Sequence, residues 1–169
     1  MKVEKLDDGK LIVFLNNLYL KKNSFSLKNN LEKYFKSLFI KLNEFYDIEI
    51  KGFYDINIYQ DNLFGIILKL EKGDLDFYDF YDDHIDMKIR IMKKEKFVFK
   101  LDKFSMLNKE ILDYCRIYQY NNSFYVIPKR TLNDINIGFI LENSKIIYGE
   151  DAYKIINKAK LINNKKLFV

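Results

Sequence analysis

A helical pattern gives way to an alternating one within residues 31–58, which read LEKYFKSLFIKLNEFYDIEIKGFYDINI. Up to position 45 the apolar residues recur at intervals of three and four, which predicts an amphipathic helix with one broad apolar face. From position 48 they occupy every second position, which predicts a strand with one buried and one solvated face. The helix face is too large to leave in water, so we expect the helix to cover a sheet that contains this strand. The helix face is formed by Leu31, Tyr34, Phe35, Leu38, Phe39, Leu42 and Phe45, and the strand face by Ile48, Ile50, Gly52, Tyr54, Ile56 and Ile58.

The residues on either side of this stretch predict further strands of the same sheet. Residues 2–6 and 11–14 flank Asp8 and Gly9, a turn pair that accepts positive φ, and therefore predict a β-hairpin. Alternating apolar residues at 64–70 predict a strand that returns after a polar turn at 60–62. The first part of the chain is thus expected to place a helix over one face of an antiparallel sheet.

The second part of the chain repeats this plan more loosely. Strands are predicted at 85–91, 97–101, 112–120, 123–128, 135–141 and 145–148. A short helix is predicted from Asp102 through Lys109, and a last helix begins at residues 149–151 with Ala152 and Ile155 on its apolar face. The predicted fold class is α+β, with two small domains, each an antiparallel sheet with a helix packed on one face.

An acidic stretch lies between the two parts. Residues 71–86 carry seven acidic residues and one lysine, so the remaining 153 residues carry a net charge of +11. A charge run of this kind is typical of a solvated connector. We therefore predict an N-terminal domain at 1–72, an acidic linker at 73–84 and a C-terminal domain at 85–169.

Composition limits the class of protein and its compartment. The single cysteine, Cys115, excludes an internal disulfide framework and fits a reducing compartment. No apolar run approaches the roughly 20 residues that a membrane-spanning helix needs, and the first residues are charged with both signs. The expectation is a soluble cytoplasmic protein with no membrane partner.

The sequence contains no convincing catalytic or cofactor motif. The only histidine, His84, lies in the acidic stretch, and Cys115 falls in a predicted strand with no base near it in the chain. Asp82, Asp83 and Asp86 beside His84 lack any recurring metal-ligand spacing. The six glycines are scattered singly and form no phosphate-binding loop. Many carboxylates are present, but nothing selects a pair, so we expect no enzyme, no cofactor and no metal.

The positive charge leaves nucleic-acid binding open as an alternative. Aromatic residues among lysines on predicted strands could stack on bases, namely Phe53, Tyr59, Tyr118, Tyr120 and Tyr125. Against this, there are 26 lysines and only 3 arginines, and arginine is the residue suited to bidentate phosphate and base contacts. Abundant Lys, Asn and Ile with little Ala is also the composition that an AT-rich genome produces in any protein.

The order of predicted elements resembles the MecA family of adaptor proteins, which serve the AAA+ unfoldase ClpC in low-GC Gram-positive bacteria. The opening MKVEKLDDGKLIVF at residues 1–14 and FYDIEIKG at 45–52 are similar to the family's N-terminal domain. In the second part, IYQYNNSFYVI at 117–127 and the stretch from DINI at 134–137 to EDA at 150–152 follow the order of its C-terminal domain. The resemblance covers nearly the whole chain.

The resemblance implies a non-enzymatic adaptor, a class linked to competence regulation. The N-terminal domain would hold client proteins, and the C-terminal domain would dock on a ClpC-like Clp AAA+ unfoldase for regulated proteolysis. Residues 142–151 are the expected docking segment, with Glu142, Lys145, Tyr148, Glu150 and Asp151 as candidate protein-binding residues and the last three expected to be exposed.

Two features depart from the family pattern. The acidic linker is shorter than usual. Residues 129–133 are also too few for the helix that normally precedes the last strands of the C-terminal domain, so the sequence predicts that this helix is missing.

Overall fold

The computed structural model describes residues 1–7, 9–26, 30–73, 85–92, 96–102 and 109–162. Ten strands and five helices occur in these residues. The strands are β1 Lys2–Asp7, β2 Lys10–Asn16, β3 Gly52–Asp61, β4 Gly65–Lys72, β5 Ile85–Met92, β6 Phe97–Leu101, β7 Cys115–Tyr120, β8 Ser123–Pro128, β9 Ser144–Tyr148 and β10 Lys160–Ile162. The helices are α1 Asn17–Lys22, α2 Leu31–Tyr46, α3 Lys109–Tyr114, α4 Asp134–Glu142 and α5 Gly149–Lys158.

The strands form two five-stranded sheets, in the orders β1-β2-β4-β3-β5 and β10-β7-β8-β6-β9. The chain divides into two compact units around them. Unit 1 comprises Met1–Ile58 and Ile66–Met92, and unit 2 comprises Tyr59–Gly65 and Lys93–Val169. The predicted α+β class with a sheet and a packed helix in each part is therefore confirmed.

In unit 1, α2 packs on one face of the first sheet, as its periodicity predicts. Four residues of α2 are buried, and they meet the even-numbered side chains of β3 and β4 in one core. The helix contributes Phe35, Leu38, Phe39 and Leu42, and the strands contribute Tyr54, Ile56, Ile58, Ile66, Leu68 and Leu70. The β1–β2 hairpin joins this sheet in antiparallel register, with Gly9 at a φ of +97° in the turn, as the Asp-Gly pair predicts.

In unit 2, α5 packs on one face of the second sheet. Its Ala152 and Ile155 lie against Val98 of β6 and Tyr125 of β8. The strands β7 and β8 form the predicted antiparallel hairpin, and both Asn121 and Asn122 have positive φ in its tight turn. Helices α3 and α4 contact β7 and β9 respectively.

The division of the chain differs from the predicted boundaries at 72 and 85. The sequence analysis places β5 in the C-terminal domain, but β5 pairs with β3 in the first sheet. Its Ile85, Met87 and Ile89 pack against the core of unit 1, which explains the placement because these alternating side chains need an apolar face to cover. Residues 59–65, at the tip of the β3–β4 hairpin, belong instead to unit 2.

The acidic linker predicted at 73–84 lies, apart from Gly73, outside the described residues. The strands before and after it, β4 and β5, belong to the same sheet. This stretch therefore connects two strands of unit 1 and is not the boundary between the units.

Residues 134–142 form a helix, so the strand predicted at 135–141 is wrong. The apolar residues of this stretch satisfy a helical pattern as well, since Ile137, Ile140 and Leu141 are buried while Ile135 is 82% exposed. The side chain of Asn133 accepts a hydrogen bond from the backbone N–H of Asn136 at 2.7 Å, which caps the first turn. A helix therefore lies between β8 and β9, where the sequence predicts none.

Smaller differences concern element ends. The strand predicted at 112–120 begins only at Cys115, because residues 109–114 form α3. Ile48 and Ile50 precede β3, although both contribute to the core. The short α1 and β10 were not predicted from the sequence. The helix predicted from Asp102 lies mostly outside the described residues, and only its last residue, Lys109, falls in an observed helix.

Gly138 lies inside α4, and nothing lies within 4 Å of the position that a Cβ atom would take. We expect Gly138→Ala to raise the free energy of unfolding by about 0.5–1 kcal/mol, because alanine favours a helix and restricts the unfolded chain. Urea denaturation would measure the change. Gly149→Ala is the matched control and should lower stability by about 1 kcal/mol or more, since Gly149 has a φ of +63°. No gain in stability at Gly138 would contradict the open helical environment.

Candidate docking segment and the cavity beside β6

The segment that the resemblance assigns to docking, residues 142–151 (the docking segment), runs from the end of α4 through β9 into the first turn of α5. The structure brings the five predicted residues into this one continuous surface segment. Glu142, Lys145, Glu150 and Asp151 are exposed, and for Glu150 and Asp151 this exposure was predicted from the sequence. The segment is anchored by the edge strand β9, whose Ser144 is buried and donates its hydroxyl to the carbonyl of Ile140 at 2.5 Å.

Tyr148 is half-buried, so its expected exposure is corrected. It pairs with Phe97 of β6, and its ring lies 4.7 Å from the ring of Tyr59. This contact stabilises the tyrosine in one position. Tyr148 can therefore present only part of its ring to a partner.

The charged residues of the docking segment differ in their surroundings. Glu150 and Asp151 lie in the first turn of α5, where carboxylates are stabilised by the positive end of the helix dipole. Asp151 also forms an exposed ion pair with Lys154 at 3.1 Å. On β9, Lys145 lies directly opposite Lys100 of β6, so two cations face each other across the strand pair. Like charges in this arrangement repel, which raises the local positive potential.

A cavity of about 160 Å³ lies in unit 2, near the start of β6 and the end of β8. Residues from five separate parts of the chain line it: Asp61, Leu63, Phe64, Lys96, Phe97, Arg116, Tyr118, Ile127, Pro128 and Ile156. Most of these residues are apolar, and three are charged: Asp61, Lys96 and Arg116. We refer to this site as the β6 cavity.

Asp61 is the acidic group of the β6 cavity. Its carboxylate accepts a hydrogen bond from the backbone N–H of Leu63 at 2.7 Å, which fixes the turn between β3 and β4. Burial raises the pKa of this carboxyl, while the N–H groups of Leu63 and Phe64 and the ammonium of Lys96 lower it. The main role of Asp61 is thus to hold the turn that forms one wall.

Cys115, the only cysteine in the chain, is not placed to act as a nucleophile. Cys115 is fully buried at the start of β7, and burial raises the pKa of its thiol to about 12. Such a thiol stays protonated near neutral pH and acts as a small apolar side chain.

The acidic residues around His84 are only partly described. His84, Asp82 and Asp83 lie outside the described residues. The carboxylate of Asp86 accepts a hydrogen bond from the backbone N–H of Met87 at 2.7 Å. Within the described ranges, no group of three or more His, Cys, Asp and Glu side chains is arranged to hold a metal ion. In the same part of the chain, none of the helices is both long and apolar enough to cross a membrane.

The aromatic residues considered for base stacking are separated or covered. Tyr125 is only 5% exposed and belongs to the core beneath α5, where Tyr118 and Tyr120 also pack. Tyr59 lies against Tyr148, and Phe53 is half-buried. Burial removes Tyr125 from the set of stacking candidates.

The β6 cavity was not predicted from the sequence. Its lining residues come from a turn, three strands and a helix, so no local spacing connects them. The one usable signal was the isolated arginine in β7, Arg116, in a chain with 3 arginines. No family model, no curated protein and no solved structure matches this chain.

Proposed function

We propose that this protein is a cytoplasmic, non-enzymatic adaptor that recruits client proteins to a ClpC-like Clp AAA+ unfoldase for regulated proteolysis. The proposal rests on the resemblance to the MecA family given above. In it, unit 1 holds the client and the docking segment of unit 2 contacts the unfoldase.

The position of α4 is the observation that carries the proposal. The sequence pattern alone lacks the helix that precedes the last strands in the family's C-terminal domain. Helix α4 lies between β8 and β9, where that helix is expected. The order β7-β8-α4-β9-α5 in unit 2 therefore supports the resemblance at the point where it was weakest.

The surface chemistry of the docking segment also supports a protein partner. Exposed charges of both signs, Glu142 and Lys145 on one side and Glu150 and Asp151 on the other, flank the half-buried ring of Tyr148. At protein interfaces, aromatic residues often contribute strongly to binding, and a polar rim surrounds them. Charged groups of this kind steer a partner and fix its register.

The substitution Lys145→Glu should affect docking and stability in different directions. We expect the variant to lose unfoldase ATPase stimulation by at least about fivefold, because it reverses a charge at the proposed contact. Its stability should stay level or rise by about 0.2–1 kcal/mol, because the new carboxylate would face Lys100 and replace a repulsive pair by an attractive one. ATPase assays with the purified ClpC-like unfoldase of the same cell and thermal unfolding would measure the two effects.

Lys109→Glu provides the matched control, since it makes the same charge change at an exposed position of unit 2 outside the docking segment. It should stimulate the unfoldase like the unaltered protein. If the unaltered protein neither co-elutes with the unfoldase nor stimulates it, the proposed function is wrong. If both variants lose stimulation equally, the docking segment is misassigned.

A further inference from the structure

The β6 cavity is a recess of unit 2 that the proposed docking does not use. Phe97, Ile127 and Ile156 give it apolar walls, and Lys96 and Arg116 place two cations at the same site. Among the described residues that line it, Asp61 is the only acidic one, so the charges of these residues sum to +1. The cavity therefore combines an apolar surface with an excess of positive charge.

Contacts between side chains order the walls of the cavity. The ring of Phe64 lies edge-on to Phe99 at 5.4 Å and 6.3 Å from the ring of Phe97. The ammonium of Lys96 lies over the ring of Tyr153 at 5.8 Å, which limits its freedom. When the side chains that line a cavity are already ordered, a ligand binds there with little free-energy cost for rearranging them.

The volume limits the occupant to one apolar group. An apolar cavity of about 150 Å³ can hold a benzene ring. At about 160 Å³, the β6 cavity has room for one branched aliphatic or aromatic side chain and none for an extended peptide.

The charges define the second part of the ligand. Arg116 is exposed and has no ion pair within the part of the chain that the structure describes. A guanidinium binds a carboxylate through two parallel hydrogen bonds, and the nearby ammonium of Lys96 adds a point charge. The ligand should thus carry a carboxylate close to its apolar group.

We propose that the β6 cavity binds the C-terminal residue of a partner polypeptide whose last side chain is branched aliphatic or aromatic. The side chain lies against Phe97 and Ile127, and the α-carboxylate pairs with Arg116 and Lys96. Within a polypeptide, only the C-terminal residue carries an apolar side chain and a free carboxylate on one Cα atom. The inference goes beyond the proposed function, since it needs neither the unfoldase nor its docking segment.

Fluorescence anisotropy with the full-length protein tests this site. The probe is a fluorescein-labelled Gly-Ser-Gly-Ala-Leu peptide with a free C-terminal carboxylate. Amidation of the terminus should weaken binding about tenfold or more, because it removes the charge that Arg116 and Lys96 contact. Replacing the terminal leucine by serine should weaken binding by a similar factor, since the apolar cavity is then left without its occupant. Both changes leave the protein unaltered and cannot affect its folding.

Variants of the protein locate the site. Arg116→Gln should weaken binding about tenfold, whereas Arg130→Gln, which alters an exposed arginine held over Tyr114 outside the cavity, should not. Equal binding of the amidated peptide, or equal loss in the two arginine variants, would overturn the proposal.

Asp61→Asn distinguishes a polypeptide terminus from a free amino acid. The amide can still accept from Leu63, so the turn is retained, while the negative charge beside the ligand is removed. Binding of the labelled peptide should tighten. Two results together would contradict a polypeptide ligand: free leucine displaces the labelled peptide as effectively as unlabelled peptide does, and Asp61→Asn weakens the binding of free leucine. Asp61 would then contact an α-ammonium group, and the proposed polypeptide ligand would be wrong.

Discussion

Replacing Phe64 with alanine should lower the free energy of unfolding by about 3–5 kcal/mol. Phe64 is 3% exposed and lies in the turn between β3 and β4. Its ring contacts Phe97 and Phe99 of β6 in unit 2, although its neighbours in the chain belong to strands of the first sheet. The substitution leaves a cavity under the second sheet that the surrounding residues can fill only in part.

Urea denaturation measures the loss, and hydrogen exchange shows where it acts. Amides of β6 should exchange faster than those of α2 under conditions that favour local opening, because Phe64 packs on β6. Leu63→Ala is the matched control, since Leu63 is the half-buried neighbour and should cost less. Faster exchange confined to α2 would contradict the assignment of residues 59–65 to unit 2.

The two fragments of a chain cut between residues 79 and 80 should stay associated. After an inserted protease site is cleaved, the two pieces should elute together from a sizing column in buffer and separate only in denaturant. The reason is that β5, on the second piece, is hydrogen-bonded to β3 on the first. Arg90 and Asp55 also form an ion pair at 3.1 Å between these strands.

Neighbouring residues of β5 supply the matched variants for this experiment. Ile89 packs against the core of unit 1, whereas Lys88 is exposed on the other face. Ile89→Ser should weaken the association of the cut pieces by roughly 1.5–3 kcal/mol, and Lys88→Ser should have little effect. Two separate pieces in buffer would instead support the boundary predicted at 73–84.

Local periodicity was sufficient for the elements whose partners lie close in the chain. The burial of Tyr54, Ile56 and Ile58 follows the predicted parity of β3, and Phe35 and Leu42 follow the predicted face of α2. In these cases one pattern fits the residues and the competing one does not.

Strand β5 shows the limit of this reasoning. Alternation at Ile85, Met87 and Ile89 correctly predicts a strand with one buried face. It contains no information on which sheet supplies the neighbour, because pairing across a chain interval is set by tertiary packing. The acidic run before it therefore suggests a boundary between domains where the structure has none.

Helix α4 shows a second limit. Over nine residues rich in isoleucine, the two-residue and helical periods both fit, and composition favours a strand. The deciding signal was the capping residue Asn133, which was present in the sequence. The β6 cavity had no local signal of this kind, since its charged residues Asp61, Lys96 and Arg116 are far apart in the chain and meet only in the folded structure.

The placement of residues 59–65 and of β5 also affects how the chain folds while the ribosome is still synthesising it. The turn with Phe64 emerges well before β6, the strand that covers it, and its apolar ring stays in water until β6 has been made. The first sheet is complete only after residue 92 has emerged, because β5 is its last strand in the chain. The nascent chain thus exposes apolar surface over an extended interval, and slow translation through residues 65–101 should increase its capture by chaperones.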